Sequence, residues 1–233
     1  MGAGERVVGV SAYSDYPPEA KKLPEVGTAL NFSMEEIAAL RPDLVLMWKD
    51  SMRPDDLERA ALFGAAVFVA SARSLEDVPR LLAILGRLTG RDAAPVAAAY
   101  ERKLAALRQA YAGKRRLAAF VEIWGKPLTT IAGRHFINQA LEACGAENRF
   151  ADLPGVAPVV SLEELYRRDP EVIVGMSSGI GPAEFRREWQ ERPTLSAVKS
   201  GKLVYAHPDR LQRPTARTPD GIAELCAGLD RVR

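Results

Sequence analysis

Ser33-Met-Glu-Glu-Ile-Ala-Ala-Leu-Arg-Pro-Asp-Leu-Val-Leu-Met-Trp48 recurs without a gap, offset by 128 residues, as Ser161-Leu-Glu-Glu-Leu-Tyr-Arg-Arg-Asp-Pro-Glu-Val-Ile-Val-Gly-Met176. Each copy opens on a serine followed three residues later by glutamate (Ser33 with Glu36, Ser161 with Glu164). This spacing predicts a capping box, in which hydroxyl and carboxylate each satisfy a free backbone N–H of the other. Each helical stretch then stops before a proline, Pro42 or Pro170, because the residue ahead of proline is pushed out of the helical region. A run rich in valine and leucine follows at once and reads as a strand. One helix-to-strand unit used twice predicts two α/β lobes related by approximate symmetry.

The rest of the chain repeats this style. Residues 7–11, 44–48 and 65–70 read as buried strands in the first half, as do 117–124, 171–176 and 203–206 in the second. Helical patterns cover 34–40, 54–63, 75–88, 136–144, 162–168, 183–189 and 220–232, with Ser74 and Asp77 spaced as an N-terminal cap. Strands alternating with helices imply parallel sheets covered on both faces. Between the halves, Val96, Tyr100, Leu104, Leu107 and Tyr111 form one apolar stripe closed by Gly113. This predicts a helix over 95–112, roughly 27 Å long at 1.5 Å per residue. The expected organisation is an N-terminal lobe over 1–91, a linking helix over 92–113 and a C-terminal lobe over 114–233.

At 233 residues and 47% hydrophobic content the chain can bury a substantial core. Thirty-two basic against 30 acidic residues leave a net charge of +2, without a basic stripe carrying aromatics, which argues against nucleic acid as a partner. The longest apolar runs are strand-length, far short of the roughly 20 residues that span a bilayer. Residues 1–4 carry no secretory signal pattern. Cys144 and Cys226, 82 residues apart with no CxxC, are poor zinc ligands. The residues alone leave two buried thiols or one disulfide open, slightly favouring the thiols.

Chemistry is sparse. His135 and His207 are the only histidines, and neither HExxH nor GxSxG is present, so no catalytic constellation can be assembled. The glycines at 175, 179 and 181 follow a strand but match no phosphate-loop pattern, and they read as a turn. Aromatics at strand ends say more. Tyr13 and Tyr16 follow the first strand, while Trp48 and Trp124 end two others. The carboxyl ends of strands face the ligand crevice in open α/β sheets, so these positions predict a flat, largely apolar ligand held by aromatic faces.

Val8-Gly-Val-Ser-Ala-Tyr-Ser-Asp-Tyr-Pro-Pro18, Arg41-Pro-Asp-Leu-Val, Leu141-Glu-Ala-Cys-Gly-Ala-Glu-Asn148 and Ala223-Glu-Leu-Cys226 together resemble the periplasmic vitamin B12-binding proteins of ABC importers. The resemblance covers essentially the whole chain. It implies a class III periplasmic binding protein, with two Rossmann-like lobes joined by one long rigid helix, and a chain that begins at the family's second strand, without the usual first strand and helix. It implies a monomeric periplasmic carrier, not an enzyme, without a cofactor or metal of its own, that takes cobalamin or another corrinoid between its lobes and delivers it to an ABC permease dimer. Tyr13, Trp48 and Trp124 would meet the corrin ring, and Asp209 and Arg213 would supply polar contacts, their plain structural alternative being a local ion pair. Glu35 and Glu163 would dock on the permease, and Cys144 and Cys226 would form a disulfide. Ala29, Ala157 and Leu211 stand where an enterobacterial member carries tryptophans, which implies a less aromatic pocket. A haem or siderophore carrier on the same scaffold is the alternative, with His135 or Tyr13 as the axial ligand of a haem; an α/β enzyme is a more distant one.

Overall fold

The computed structural model describes every residue except Ala29, Leu30, Pro54, Leu62 and Phe63, and the side chain of Ala61. The described chain divides into two compact units, one of Met1–Ser71 with Ala83–Ala93 and the other of Ala72–Leu82 with Ala94–Arg233.

In the first unit, helix α1 (Met34–Leu40) begins at Ser33, whose hydroxyl accepts from the Glu36 N–H at 3.2 Å. It leads into strand β1 (Leu44–Trp48). Helix α2 (Asp56–Ala61) follows; of the rest of the predicted 54–63 helix, Asp55 is in a turn and residues 54, 62 and 63 lie outside the described residues. Strand β2 (Ala66–Ala70) runs parallel to β1, pairing Leu44 with Ala66 and Trp48 with Ala70. Two expectations fail here. The predicted strand over 7–11 is reduced to a single parallel bridge between Val10 and Glu25, because only Val10 and Ala12 find partners in the 24–27 segment. The sheet is also not covered on both faces, since Leu46 is 53% exposed. Helix α3 (Asp77–Thr89) is shared between the units, and the Asp77 carboxylate caps it by accepting from the Arg73 and Ser74 N–H groups, each at 2.9 Å.

The second unit carries the larger core. Helix α4 (Ala94–Tyr111) buries Tyr100 and Leu104 of the predicted stripe. A four-stranded parallel sheet is built from β3 (Leu117–Glu122), β6 (Ala146–Asn148), β7 (Val172–Gly175) and β8 (Leu203–Tyr205), in the order β6-β3-β7-β8. Between β3 and β6 lie the hairpin of β4 (Trp124–Gly125) and β5 (Leu128–Thr129) and helix α5 (Phe136–Ala143). Helix α6 (Leu162–Arg168) precedes β7; α7 (Pro182–Gln190) and α8 (Ser196–Lys199) precede β8; α9 (Pro208–Leu211) and α10 (Thr218–Val232) follow it. Phe120, Phe150, Phe185 and Trp189 meet edge-to-face or tilted in the core, the arrangement their ring quadrupoles favour. β7 ends on Gly175, where a Cβ would sit 2.2 Å from the buried Phe185 ring. The segment after it is a turn, as the glycine spacing predicts.

The sequence repeat is a structural one: α1 and α6 have the same length and start 128 residues apart, and β1 and β7 also start 128 residues apart. The capping box, however, is only half made. The Ser161 hydroxyl accepts from the Glu164 N–H at 3.1 Å, but the return bonds are replaced. The Ser33 N–H instead donates to the Val26 carbonyl, and the Glu164 carboxylate is drawn away by Arg167 and Arg168, which hold its pKa down at about 2. Ahead of each proline the chain turns left-handed, with φ 45° at Arg41 and 36° at Asp169, instead of becoming extended. Asp169 is secured there by Ser196, whose hydroxyl and N–H donate to its carboxylate.

The amino ends of the second sheet are tied by one carboxylate. Glu171 accepts from the Arg115 guanidinium at 2.7 and 3.0 Å and from Lys202 Nζ at 2.8 Å. Arg115 foremost, then Lys202, lower its pKa to about 2 against the opposing effect of burial. A depressed folded-state pKa adds stability that is fully present above the ordinary glutamate pKa and is lost as pH falls through the folded value. Thermal midpoints should therefore fall between pH about 4.5 and about 2, with a visibly shallower slope in Glu171→Gln. Identical slopes would remove this triad from the acid response.

Candidate functional site

In the first unit the residues predicted to meet the ligand lie at the carboxyl end of its sheet and on an earlier loop. Trp48 is the last residue of β1 and is half-buried. Tyr13 sits in a turn with φ 68° and is 75% exposed. Left-handed backbone is rare for a bulky residue and persists only where the surroundings impose it; here the flanking Ala12 N–H is fixed to the Gly27 carbonyl at 2.7 Å. The result is an aromatic ring held out towards solvent.

In the second unit, Trp124 does not end strand β3, as the sequence suggests. The strand stops at Glu122, because the Ile123 N–H turns to the Thr129 carbonyl and opens the β4–β5 hairpin, which Trp124 begins. The indole is 51% exposed, and its N–H donates to the Lys126 carbonyl at 3.0 Å. The Lys126 ammonium reaches Glu188 on α7 at 3.0 Å. Asp209, in α9, pairs with Arg213 at 3.3 Å and faces His207 at 3.8 Å, so the local ion pair exists. A paired carboxylate and guanidinium still offer acceptors and planar donors to a ligand rim. The described residues hold no cluster of three or more His, Cys, Asp or Glu placed to bind a metal ion.

The two described positions where an enterobacterial member carries tryptophan differ in burial. Ala157 is exposed, while Leu211 is 1% exposed and belongs to the core, so its size bears on packing and not on pocket aromaticity. Ala29 lies outside the described residues. His135 caps α5, its Nδ1 accepting from the Ile137 N–H at 3.2 Å, so that nitrogen is committed to structure. Glu35 and Glu163 are exposed in the first turns of α1 and α6, and neither has an ion-pair partner among the described residues. Cys144 and Cys226 form a disulfide that joins the end of α5 to α10. The sequence missed Glu122, a buried carboxylate whose signal was present: a lone acid closing an otherwise apolar strand.

A family of periplasmic binding proteins matches residues 1–210. The chain belongs to that family. It is similar to the vitamin B12-binding proteins of Vibrio cholerae (30% identical over 98% of this chain and 83% of the relative) and Pectobacterium carotovorum (35% identical over 98% and 82%). Among solved structures, the periplasmic vitamin B12 binding protein of Vibrio cholerae matches with a TM-score of 0.87 at 29% identity, over 98% of this chain and 90% of that one. A periplasmic heme binding protein from Pseudomonas aeruginosa matches with a TM-score of 0.86 at 26% identity, over 98% and 86%. The fold is thus the class III periplasmic binding protein fold expected from the sequence. The protein is the small-molecule-binding component of an ABC importer and not an enzyme. No helix among the described residues is long and apolar enough to cross a membrane.

Proposed function

We propose that the protein binds cobalamin or a closely related corrinoid in the periplasm, as a monomer, and delivers it to a dimeric ABC permease. The observation that carries this reading is the sustained similarity to vitamin B12-binding proteins, 30% identical over 98% of the chain. The chemistry of these residues agrees with it. Tyr13 and Trp124 present exposed aromatic faces, Trp48 closes a strand, and Asp209 with Arg213 supplies acceptors and donors. A corrin, with apolar faces and an amide rim, needs both kinds of contact. Glu35 and Glu163 are assigned to the permease.

Visible-spectrum and calorimetric titration with cyanocobalamin, cobinamide and haem tests the assignment. Corrinoids should bind tightest, and Trp48→Ala should weaken them by roughly 1–3 kcal/mol, the range for removing an aromatic stacking face. An unchanged affinity in folded Trp48→Ala would take that residue out of the site, and a preference for haem would overturn the ligand assignment. The haem reading has one supporting observation, the exposed phenol of Tyr13, and predicts a tyrosinate charge-transfer band that disappears in Tyr13→Phe.

A further inference from the structure

Glu122 is 2% exposed, and no lysine, arginine or histidine among the described residues pairs with it. It borders a cluster that includes Phe120, Phe185 and Trp189, where an apolar side chain of similar size would pack without the cost of burying a carboxylate. The group is satisfied by two neutral donors. Ser177 Oγ donates to Oε1 at 2.6 Å and Trp189 Nε1 to Oε2 at 2.5 Å, while the residue's own carbonyl accepts from the Met176 N–H at 2.9 Å. These donors come from two other segments, the turn after β7 and helix α7. One carboxylate therefore pins three segments at the carboxyl edge of the sheet.

The hairpin that Trp124 begins starts two residues after Glu122. It is fastened to α7 twice, at its base by Glu122 to Trp189 and at its tip by Lys126 to Glu188. Glu122, Lys126, Glu188 and Arg192 are among the residues around a cavity of about 20 Å³, room for one water. Trp124 itself is half exposed, and its indole N–H bonds within its own hairpin, so its packing fixes it only weakly. With its indole N–H on the Lys126 carbonyl, its orientation follows that of the hairpin, which the two fastenings hold.

We propose that Glu122 is a positioning residue that orients Trp124 through α7 and the hairpin base. This rests on the reading of Trp124 as a ligand contact, and the test separates the two. The protein is labelled with 5-fluorotryptophan, which gives one fluorine signal from each of its three tryptophans. In Glu122→Ala the Trp124 signal should shift or broaden, while that of Trp48 stays in place. Glu122→Gln should restore it, because the amide oxygen can accept from Trp189 while its NH₂ donates to the hydroxyl of Ser177, which can turn to accept. Cyanocobalamin affinity should follow the same pattern, falling about tenfold in Glu122→Ala, as expected when an aromatic stacking face is misplaced. Adding Trp124→Ala to Glu122→Ala should cost little more than either change alone.

An unmoved Trp124 signal in Glu122→Ala, a glutamine variant that behaves like alanine, or additive losses in the double variant would each overturn the proposal. Should Glu122→Ala fail to fold, Trp189→Phe removes one donor and keeps the packing ring; it should move the Trp124 signal in the same direction, and no movement overturns the proposal as well. If the signal responds but Trp124→Ala leaves corrinoid affinity intact, the positioning role stands and the assignment of Trp124 to the ligand falls.

Discussion

Breaking the Cys144–Cys226 disulfide should lower the stability of the second unit by about 4 kcal/mol. The bond closes a stretch of 82 residues that contains β6, β7 and β8, and a cross-link of that span removes roughly 4–5 kcal/mol of loop entropy from the unfolded chain in the entropic treatment. Both cysteines are fully buried, one at the end of α5 and the other midway along α10, and the two helices already pack on each other. Cys144→Ala with Cys226→Ala therefore leaves two small voids but no charge to bury. The apolar face of α10 (Ile222, Leu225, Leu229) persists, so the unit should still fold, only less stably. Urea unfolding followed by the fluorescence of Trp189, with Trp48 and Trp124 replaced by phenylalanine, reads this unit alone. A midpoint indifferent both to reductant and to the double alanine variant would show that the cross-link contributes nothing beyond packing. An oxidising compartment such as the periplasm is where a bond of this kind persists.

The strongly periodic elements were legible because their signals are local. Capping serines, prolines after the helices and runs of valine place α1, β1 and α6 at the observed residues and β7 within one residue at each end. What escaped was decided by partners distant in sequence. Strand β6 is three residues of Ala-Glu-Asn with no apolar signature, and it exists because Leu117, Ala118 and Ala119 pair with it. The 7–11 segment has a strand's composition but too few partners to become one. The glutamates of the capping boxes obey a local rule only until an arginine competes, as Arg167 and Arg168 do for Glu164. Of the aromatics proposed for the ligand, only Trp48 keeps the strand-end position its sequence suggests, since the segment before Tyr13 forms no strand and Trp124 opens a hairpin. Glu122 could be seen as a lone acid closing an apolar strand, but its partners Trp189 and Ser177 come from distant segments, so its role could not be read locally.

Glu35→Lys combined with Glu163→Lys should abolish transport while leaving corrinoid affinity and folding nearly unchanged. The two side chains occupy equivalent places, 128 residues apart, in the first turns of two helices of equal length. A carboxylate there interacts favourably with the helix dipole, which is worth roughly 0.3–1 kcal/mol at an exposed site, and the lysine variants should lose about that much stability. The dipole does not explain why these two acids are left unpaired. Glu164, one residue further along α6, is held by two arginines, whereas Glu35 and Glu163 have no ion-pair partner among the described residues and stand in solvent. Two equivalent free carboxylates would suit a permease built as a symmetric pair of subunits, each offering a basic pocket. Reversing both charges turns attraction into repulsion at each contact, and charge complementarity at an interface governs encounter and register more than it governs either partner's fold. Uptake of labelled cyanocobalamin by cells carrying the cognate permease, compared with corrinoid titration and thermal melting of the same variant, separates docking from binding. Normal uptake by the double variant would sink the docking assignment and leave Glu35 and Glu163 with no role beyond the helix dipole.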